Sequence, residues 1–144
     1  MSKAKDYLNQ ISLLNAKIEN MLRARSDLMA MATRVTPQMQ TVAVSAGGGI
    51  DKIGEAVAKI VDLDRRIDRE IDALVALKGA AIARLNRLTN KNHYNILFKR
   101  YVLGLTFEKI AEEMGYTYRG VCYLHGRALQ DFEKMMEENE HASQ

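Results

Sequence analysis

The stretch Thr106–Leu129, TFEKIAEEMGYTYRGVCYLHGRAL, decides the fold of this chain because it predicts two helices joined by a tight turn. Thr106 is a favourable N-cap, Gly115 can adopt the positive φ that ends a helix, and Thr117 begins the second helix. Ala111 is small enough to let two crossing helices approach closely. The apolar residues of both helices recur at helical spacing and face one core: Phe107, Ile110, Ala111, Met114, Val121, Leu124 and Ala128. The stretch therefore predicts a helix-turn-helix.

The inward residues fix which side chains of the second helix face outward. In its first two turns these are Thr117, Tyr118, Arg119, Cys122 and Tyr123. A helix-turn-helix presents this part of its second helix to the major groove of duplex DNA. We therefore expect double-stranded DNA as a partner, with Arg119 contacting a base, preferably guanine, and Tyr118, Cys122 and Tyr123 lining the same groove. The residues better suited to phosphates are Thr106, Thr117, Lys99, Arg100 and Arg127. For Arg100, a buried ion pair in the helical core is the alternative.

The longer run Tyr94–Phe132, YNILFKRYVLGLTFEKIAEEMGYTYRGVCYLHGRALQDF, resembles the fourth conserved region of bacterial sigma-70 factors. The shared features are a leading helix that ends in Arg-Tyr, a Gly turn, an Ile-Ala pair, Met-Gly, a Val and a closing Arg-Ala-Leu. The whole chain resembles small phage-encoded regulators of the ArpU/RinA type, and this resemblance implies activation of late or packaging genes. Unlike sigma-type recognition helices, the second helix carries only Arg119 and Arg127 as basic residues, and we expect Gly120 and Gly126 to interrupt it.

The N-terminal half has two stripes of core-type residues at heptad spacing, one from Tyr7 to Ala32 and one from Ile53 to Leu88. The second stripe contains Val57, Asp64, Ile71 and Lys78 and has Asp51 as a plausible N-cap. Between the stripes, Pro37 and Gly47–Gly49 favour a loop over residues 34–50, in which QTVAV could be coil or an edge strand. If the stripes form an antiparallel hairpin, Arg25 and Asp64 can pair and fix the register.

These patterns predict an all-α fold: a long helical hairpin or coiled-coil arm at 1–90, a sigma-70 region-4-like helix-turn-helix at 91–136, and an acidic tail at 137–144. Residues 91–129 carry six basic and three acidic side chains, whereas residues 130–144 carry one and five. The tail is either the solvated end of a helix or a segment that contacts RNA polymerase or competes with DNA. Both interpretations stay open.

The second stripe has more apolar surface than one partner helix can cover. We therefore expect a homo-oligomer, preferably a dimer that reads two half-sites. The alternative is a monomeric bundle of three or four helices.

Several functional classes find no support in the sequence. No apolar run approaches the length of a membrane span and the N-terminus lacks a secretory core, so we expect a cytoplasmic protein. Cys122 and His125 are two ligands short of a metal site, and no catalytic constellation is present. We expect no cofactor, no metal and no enzymatic activity.

The sequence thus favours a sequence-specific DNA-binding transcription regulator. A phage small terminase subunit is the first alternative, although such proteins generally carry the DNA module first. An interaction protein whose helix-turn-helix docks on RNA polymerase is the second.

Overall fold

The protein is built from helices alone in the part of the chain that the structure describes. This computed structural model describes the backbone of residues 2–42 and 48–142 and the side chains of residues 2–34 and 51–142. Its elements are α1 (Lys3–Val42), α2 (Gly48–Leu85), α3 (Lys91–Leu97), a π-helical turn (Phe98–Val102), α4 (Phe107–Met114) and α5 (Tyr118–Ala142). The all-α prediction is confirmed.

The helices form two compact units, and both long helices contribute to each. One unit, the C-terminal unit, comprises Met1–Leu14 and Leu74–Gln144, and the other, the hairpin unit, comprises Asn15–Ala73. The first turns of α1 and the last turns of α2 therefore belong with the helix-turn-helix. This division differs from the boundary at residue 90 that the sequence suggested.

The core of the C-terminal unit brings together side chains from all five α-helices and the π-helical turn. The fully buried large side chains are Leu8, Leu85, Ile96, Leu97, Ile110, Val121 and Phe132. Asn90 caps α3 by accepting hydrogen bonds from the backbone N–H groups of Asn92 and His93. The π-helical turn that follows contributes the buried side chains of Tyr101 and Val102. Because α3 and α5 also pack on each other, the helix-turn-helix is supported from behind by a continuous apolar core.

The start of α1 is attached to α5 by a carboxylate and an aromatic pair. Glu133 accepts a hydrogen bond from the backbone N–H of Lys3 at 3.0 Å, which places a negative charge at the helix N-terminus. The Tyr7 ring stacks on Phe132 with centroids 6.2 Å apart, and the Arg84 guanidinium lies 4.5 Å from the Tyr7 centroid. These contacts explain why the first 14 residues join the C-terminal unit.

The hairpin unit has a narrow seam of isoleucines and the predicted register pair. Ile18, Ile60 and Ile67 are buried. Arg25 Nε donates to the Asp64 carboxylate, as the heptad patterns predicted. Because both side chains of this pair are partly exposed, it adds little to stability and serves mainly to set the register.

Three predictions about this half of the chain were wrong. The loop at 34–50 is shorter, because α1 continues through Pro37 to Val42 and α2 begins at Gly48. Asp51 is therefore in the first turn of α2 and is not its N-cap. Residues 40–42 of QTVAV are helical, neither coil nor strand, and residues 43–44 lie outside the described residues.

Most of the predicted heptad stripe of α2 is removed from solvent. Its buried members are Ile60, Ile67, Ala81 and Leu85, and its half-buried members are Ile53, Asp64, Leu74, Lys78 and Leu88. The prediction was wrong for Val57 and Ile71, which are exposed, whereas Leu63 and Leu77, outside the predicted stripe, are half-buried.

Candidate nucleic-acid interface

The turn between α4 and α5 follows the capping chemistry that the sequence predicted. The Thr106 hydroxyl oxygen accepts a hydrogen bond from the backbone N–H of Lys109 at 3.1 Å. Gly115 ends α4 in the left-handed region with φ 73°, and the backbone N–H of Tyr116 donates to the carbonyl of Ala111 at 3.0 Å. Both ends of α4 are therefore fixed by local bonds, which sets where the next helix begins.

The start of α5 depends on a contact between Thr117 and Gly120. The Thr117 hydroxyl oxygen accepts a hydrogen bond from the backbone N–H of Gly120 at 3.0 Å. A Cβ atom at residue 120 would lie 3.1 Å from that oxygen, so glycine leaves room for the cap. The expected interruption at Gly120 and Gly126 was wrong, because α5 is continuous through both. Burial of Val121, Ala128 and Phe132 supplies the packing that outweighs the low helix propensity of glycine.

The outward face of α5 carries the residues that the sequence placed there. We call this set the α5 face: Thr117, Tyr118, Arg119, Cys122, Tyr123 and Arg127. Each of them is exposed, with Tyr118 at 53% and Tyr123 at 67%. In the described part of the chain, Arg119 has neither a hydrogen bond nor an ion pair. Arg127 donates to the Tyr123 hydroxyl at 3.1 Å, and its guanidinium lies 5.7 Å from the Tyr123 ring centroid.

Tyr118 is in contact with residues of both α4 and α5. The pKa of Tyr118 is raised above its ordinary value, first by the charge of an ionised Cys122 thiol and by a hydrogen bond with that thiol. The Glu108 carboxylate raises it further. The Tyr118 ring also meets Phe107 edge to face at 6.3 Å. At neutral pH the face therefore offers a phenolic hydrogen-bond donor whose ring is oriented from α4.

Lys99 and Arg100, the predicted phosphate ligands outside the helix-turn-helix, are engaged within the protein. Lys99 Nζ lies 2.7 Å from Glu113 Oε1, and this bond lowers the pKa of Glu113. Arg100 donates to the carbonyl of Leu105 at 3.1 Å, and its guanidinium lies 4.2 Å from the Phe107 ring centroid. Arg100 thus connects the π-helical turn to the segment before α4 by the Leu105 carbonyl bond and to α4 itself by the cation–π contact with Phe107.

A partly buried polar pair behind the α5 face was not anticipated from the sequence. The Tyr101 hydroxyl lies 2.7 Å from His125 Nε2, and the His125 ring meets Phe107 edge to face at 5.0 Å. Burial, followed by the charges of Arg100 and Lys5, lowers the pKa of His125 to about 4. Burial also raises the pKa of Tyr101 to about 12. Tyr101 therefore donates to a neutral imidazole, and the pair ties α5 to the π-helical turn.

A second histidine makes a similar connection nearly two turns further along α5. His93 Nδ1 lies 2.7 Å from Asp131 Oδ2, joining α3 to α5. Neither histidine contact could be read from the sequence, because each joins residues distant in the chain. Their existence means that α5 is oriented by polar bonds as well as by apolar packing.

His125 and Cys122 do not form a metal site. His125 faces Tyr101, whereas Cys122 is exposed beside Tyr118. Within residues 2–42 and 48–142 no group of three or more His, Cys, Asp or Glu side chains could hold a metal ion. None of the described helices is long and apolar enough to cross a membrane.

The arrangement can present one uncommitted guanidinium, two phenol rings and a thiol on the exposed first turns of a helix. Comparison of the chain with protein-family models, with curated proteins and with solved structures finds no match.

Proposed function

We propose that this protein is a sequence-specific transcription regulator that binds double-stranded DNA by laying the first turns of α5 in the major groove. The observation that carries the proposal is the position of Arg119 on the α5 face, exposed and without a competing partner in the described part of the chain. A guanidinium in this setting can bond in a bidentate manner to the O6 and N7 atoms of guanine. Tyr118 and Tyr123 flank it with ring faces suited to thymine methyl groups.

Thr106, the N-cap of α4, and two residues of the α5 face, Thr117 and Arg127, are suited to the phosphate backbone. The oxygens of Thr106 and Thr117 accept the capping bonds, so their hydroxyl protons are free to be donated to phosphates. Arg127 lies two turns beyond Arg119 and can add a positive charge. We expect these three residues to strengthen binding to any DNA duplex and to make it depend on salt, and Arg119 to select the preferred base sequence.

The resemblance to ArpU/RinA-type regulators makes the proposal more specific. It suggests a phage-encoded activator of late or packaging genes, with RNA polymerase as a further partner. A homo-oligomer, most simply a dimer, would supply two copies of the α5 face for two half-sites.

A second candidate function is docking on RNA polymerase or another protein without DNA binding. The observation in its favour is the small number of uncommitted cations, since Lys99 pairs with Glu113 and Arg127 bonds to Tyr123. Exposed tyrosines are also frequent in protein interfaces. The small terminase alternative requires a ring of eight or more chains.

The test is a fluorescence titration of the full chain against duplexes from the genomic region around its own gene, with an unrelated duplex for comparison, at several salt concentrations. We expect Arg119→Ala to lose about 10- to 100-fold in affinity for the preferred duplex while keeping most of the salt dependence. Arg127→Ala should weaken binding to every duplex and reduce the salt slope by about 1. Arg23→Ala, an exposed arginine of α1, is the matched control and should bind like the native protein.

Two outcomes would contradict the proposal. Equal, weak and salt-steep binding of every duplex would remove sequence specificity. Absence of binding at low salt would favour the protein-docking function.

A further inference from the structure

Phe107, the first residue of α4, joins the α5 face to the elements behind it. The Thr106 cap fixes where α4 begins, and the ring that follows is half-buried. This ring meets the Tyr118 ring edge to face, with centroids 6.3 Å apart, and the His125 ring in the same manner at 5.0 Å. The Arg100 guanidinium lies 4.2 Å from its centroid. One aromatic side chain therefore contacts α5 at two points and the π-helical turn at a third.

The two contacts on α5 constrain the rotation of this helix. Tyr118 and His125 are seven residues apart, which places them on nearly the same side of α5 and about 10 Å apart along its axis. A rotation of α5 about its axis would break both ring contacts. Arg100 in turn holds the Phe107 ring through a cation–π contact. Because Arg119 follows Tyr118 directly, the same contacts also set the direction in which its side chain leaves the helix.

The two exposed tyrosines of the α5 face differ in how their rings are held. The ring and the hydroxyl of Tyr123 both contact Arg127 of the same helix. The Tyr118 ring contacts Phe107 of another helix, and its hydroxyl has a hydrogen bond with the Cys122 thiol. Tyr118 is nevertheless 53% exposed, so part of its ring stays open to a ligand. A ring that is already held in place loses less conformational entropy on binding, which favours Tyr118 as the selective one of the two.

We propose that Phe107 is the positioning residue of the α5 face and that it holds the Tyr118 ring against the methyl group of a thymine. The inference rests on the proposed function. Thymine presents its 5-methyl group in the major groove, whereas cytosine has no methyl group there. Because the Tyr118 hydroxyl is bonded to Cys122, the ring offers its apolar part to the base. Burial of one methyl group against the ring corresponds to about a 4-fold difference in affinity.

The first test replaces each thymine by uracil, one at a time, in the duplex that the native protein prefers. Uracil keeps the base-pairing edge of thymine and lacks only its methyl group. At one thymine the native protein should lose about 4-fold in affinity. Tyr118→Ala should bind the thymine and the uracil duplex equally, whereas Tyr123→Ala, the matched control, should keep the 4-fold difference at that thymine. Since both tyrosines are exposed, both variants should fold.

The second test changes Phe107, with the same substitution at Phe98 as its matched control. Phe98 is also a half-buried phenylalanine of the C-terminal unit, but its ring contact is with Tyr94. Phe107→Leu keeps an apolar side chain and removes the ring, so it should abolish the difference between thymine and uracil and retain the affinity for unrelated duplexes. Phe107→Tyr keeps the ring and should retain the difference, as should Phe98→Leu. Circular dichroism confirms folding, and Phe107→Met is a second variant without a ring.

Four outcomes would count against these roles. A native protein that binds one duplex selectively but is insensitive to uracil at every thymine would overturn the inference and leave the proposed function in place. A thymine–uracil difference that survives Tyr118→Ala would overturn it too. A folded Phe107→Leu protein that keeps the difference, or that binds all duplexes more weakly to the same extent, would overturn the positioning role. Absence of any preferred duplex would contradict the proposed function itself and the inference with it.

Discussion

The Tyr101–His125 pair predicts that the C-terminal unit loses stability in mild acid. The pKa of His125 is about 4 in the folded protein, against an ordinary value of 6.5. Between these two values the unfolded chain binds more protons than the folded protein, so the free energy of unfolding falls as the pH falls. The contribution of His125 is fully present above pH 6.5 and is lost as the pH approaches 4.

The size of the effect follows from the two pKa values. At 1.36 kcal/mol per pH unit, the interval between them corresponds to at most about 3 kcal/mol. Because the His125 ring is only partly buried, solvent screening reduces this figure, and we expect about 1 to 2 kcal/mol. Such a loss is a substantial fraction of the stability of a small domain.

The assay is urea unfolding followed by circular dichroism, from neutral pH to about pH 4, on native protein and His125→Gln. The glutamine can still accept a hydrogen bond from Tyr101 but does not titrate. Between neutral pH and pH 4 the free energy of unfolding of the variant should therefore fall by about 1 to 2 kcal/mol less than that of the native protein. His141→Gln, a change at an exposed histidine near the end of α5, should keep the native pH dependence. If His125→Gln and native protein lose the same stability in acid, the assignment of a neutral, shielded His125 is refuted.

Three further substitutions test local features of the same unit by denaturant unfolding at neutral pH. Gly126→Ala should raise the free energy of unfolding by about 0.5 to 1 kcal/mol, because an added Cβ meets nothing within 4 Å and alanine favours the helix. An unchanged free energy of unfolding would mean that residue 126 is more constrained than the structure indicates. Gly115→Ala should lower the free energy of unfolding by about 1 to 2 kcal/mol, because residue 115 has φ 73° and an L side chain is strained there. An unchanged midpoint of denaturant unfolding would contradict the left-handed cap. Thr106→Ala should lower the free energy of unfolding by about 1 kcal/mol, because the backbone N–H of Lys109 loses its acceptor. Thr106→Ser keeps a hydroxyl at this position and should retain most of the native stability.

The features that the sequence predicted correctly are those set by neighbouring residues. Thr106, Gly115 and Thr117 act on backbone groups at most four residues away, so residue type alone indicates the cap and the turn. Arg25 and Asp64 are distant in the chain, but two heptad patterns joined by a short connection align them. The outward position of the α5 face follows from the same helical periodicity.

The features that the sequence did not reveal depend on packing between distant segments. Lys3 meets Glu133 across almost the whole chain, and Tyr101 of the π-helical turn meets His125 of α5. No local pattern distinguishes such partners from the other polar residues of a helix. For the same reason the sequence placed Lys99 among the phosphate ligands, although Glu113 holds it in the folded protein.

Burial along α2 shows what heptad spacing alone leaves open. Two overlapping stripes on this helix share Ile60 and Ile67, and both alternate between spacings of four and three. Each stripe has a half-buried member beside these isoleucines, Leu63 in one and Asp64 in the other, whereas Val57 is exposed. A carboxylate can lie beside an apolar seam when it has a charged partner, and Arg25 of the facing helix donates to Asp64. Spacing therefore predicts which positions come near the seam, and the partner of Asp64 explains why a charged side chain can be one of them.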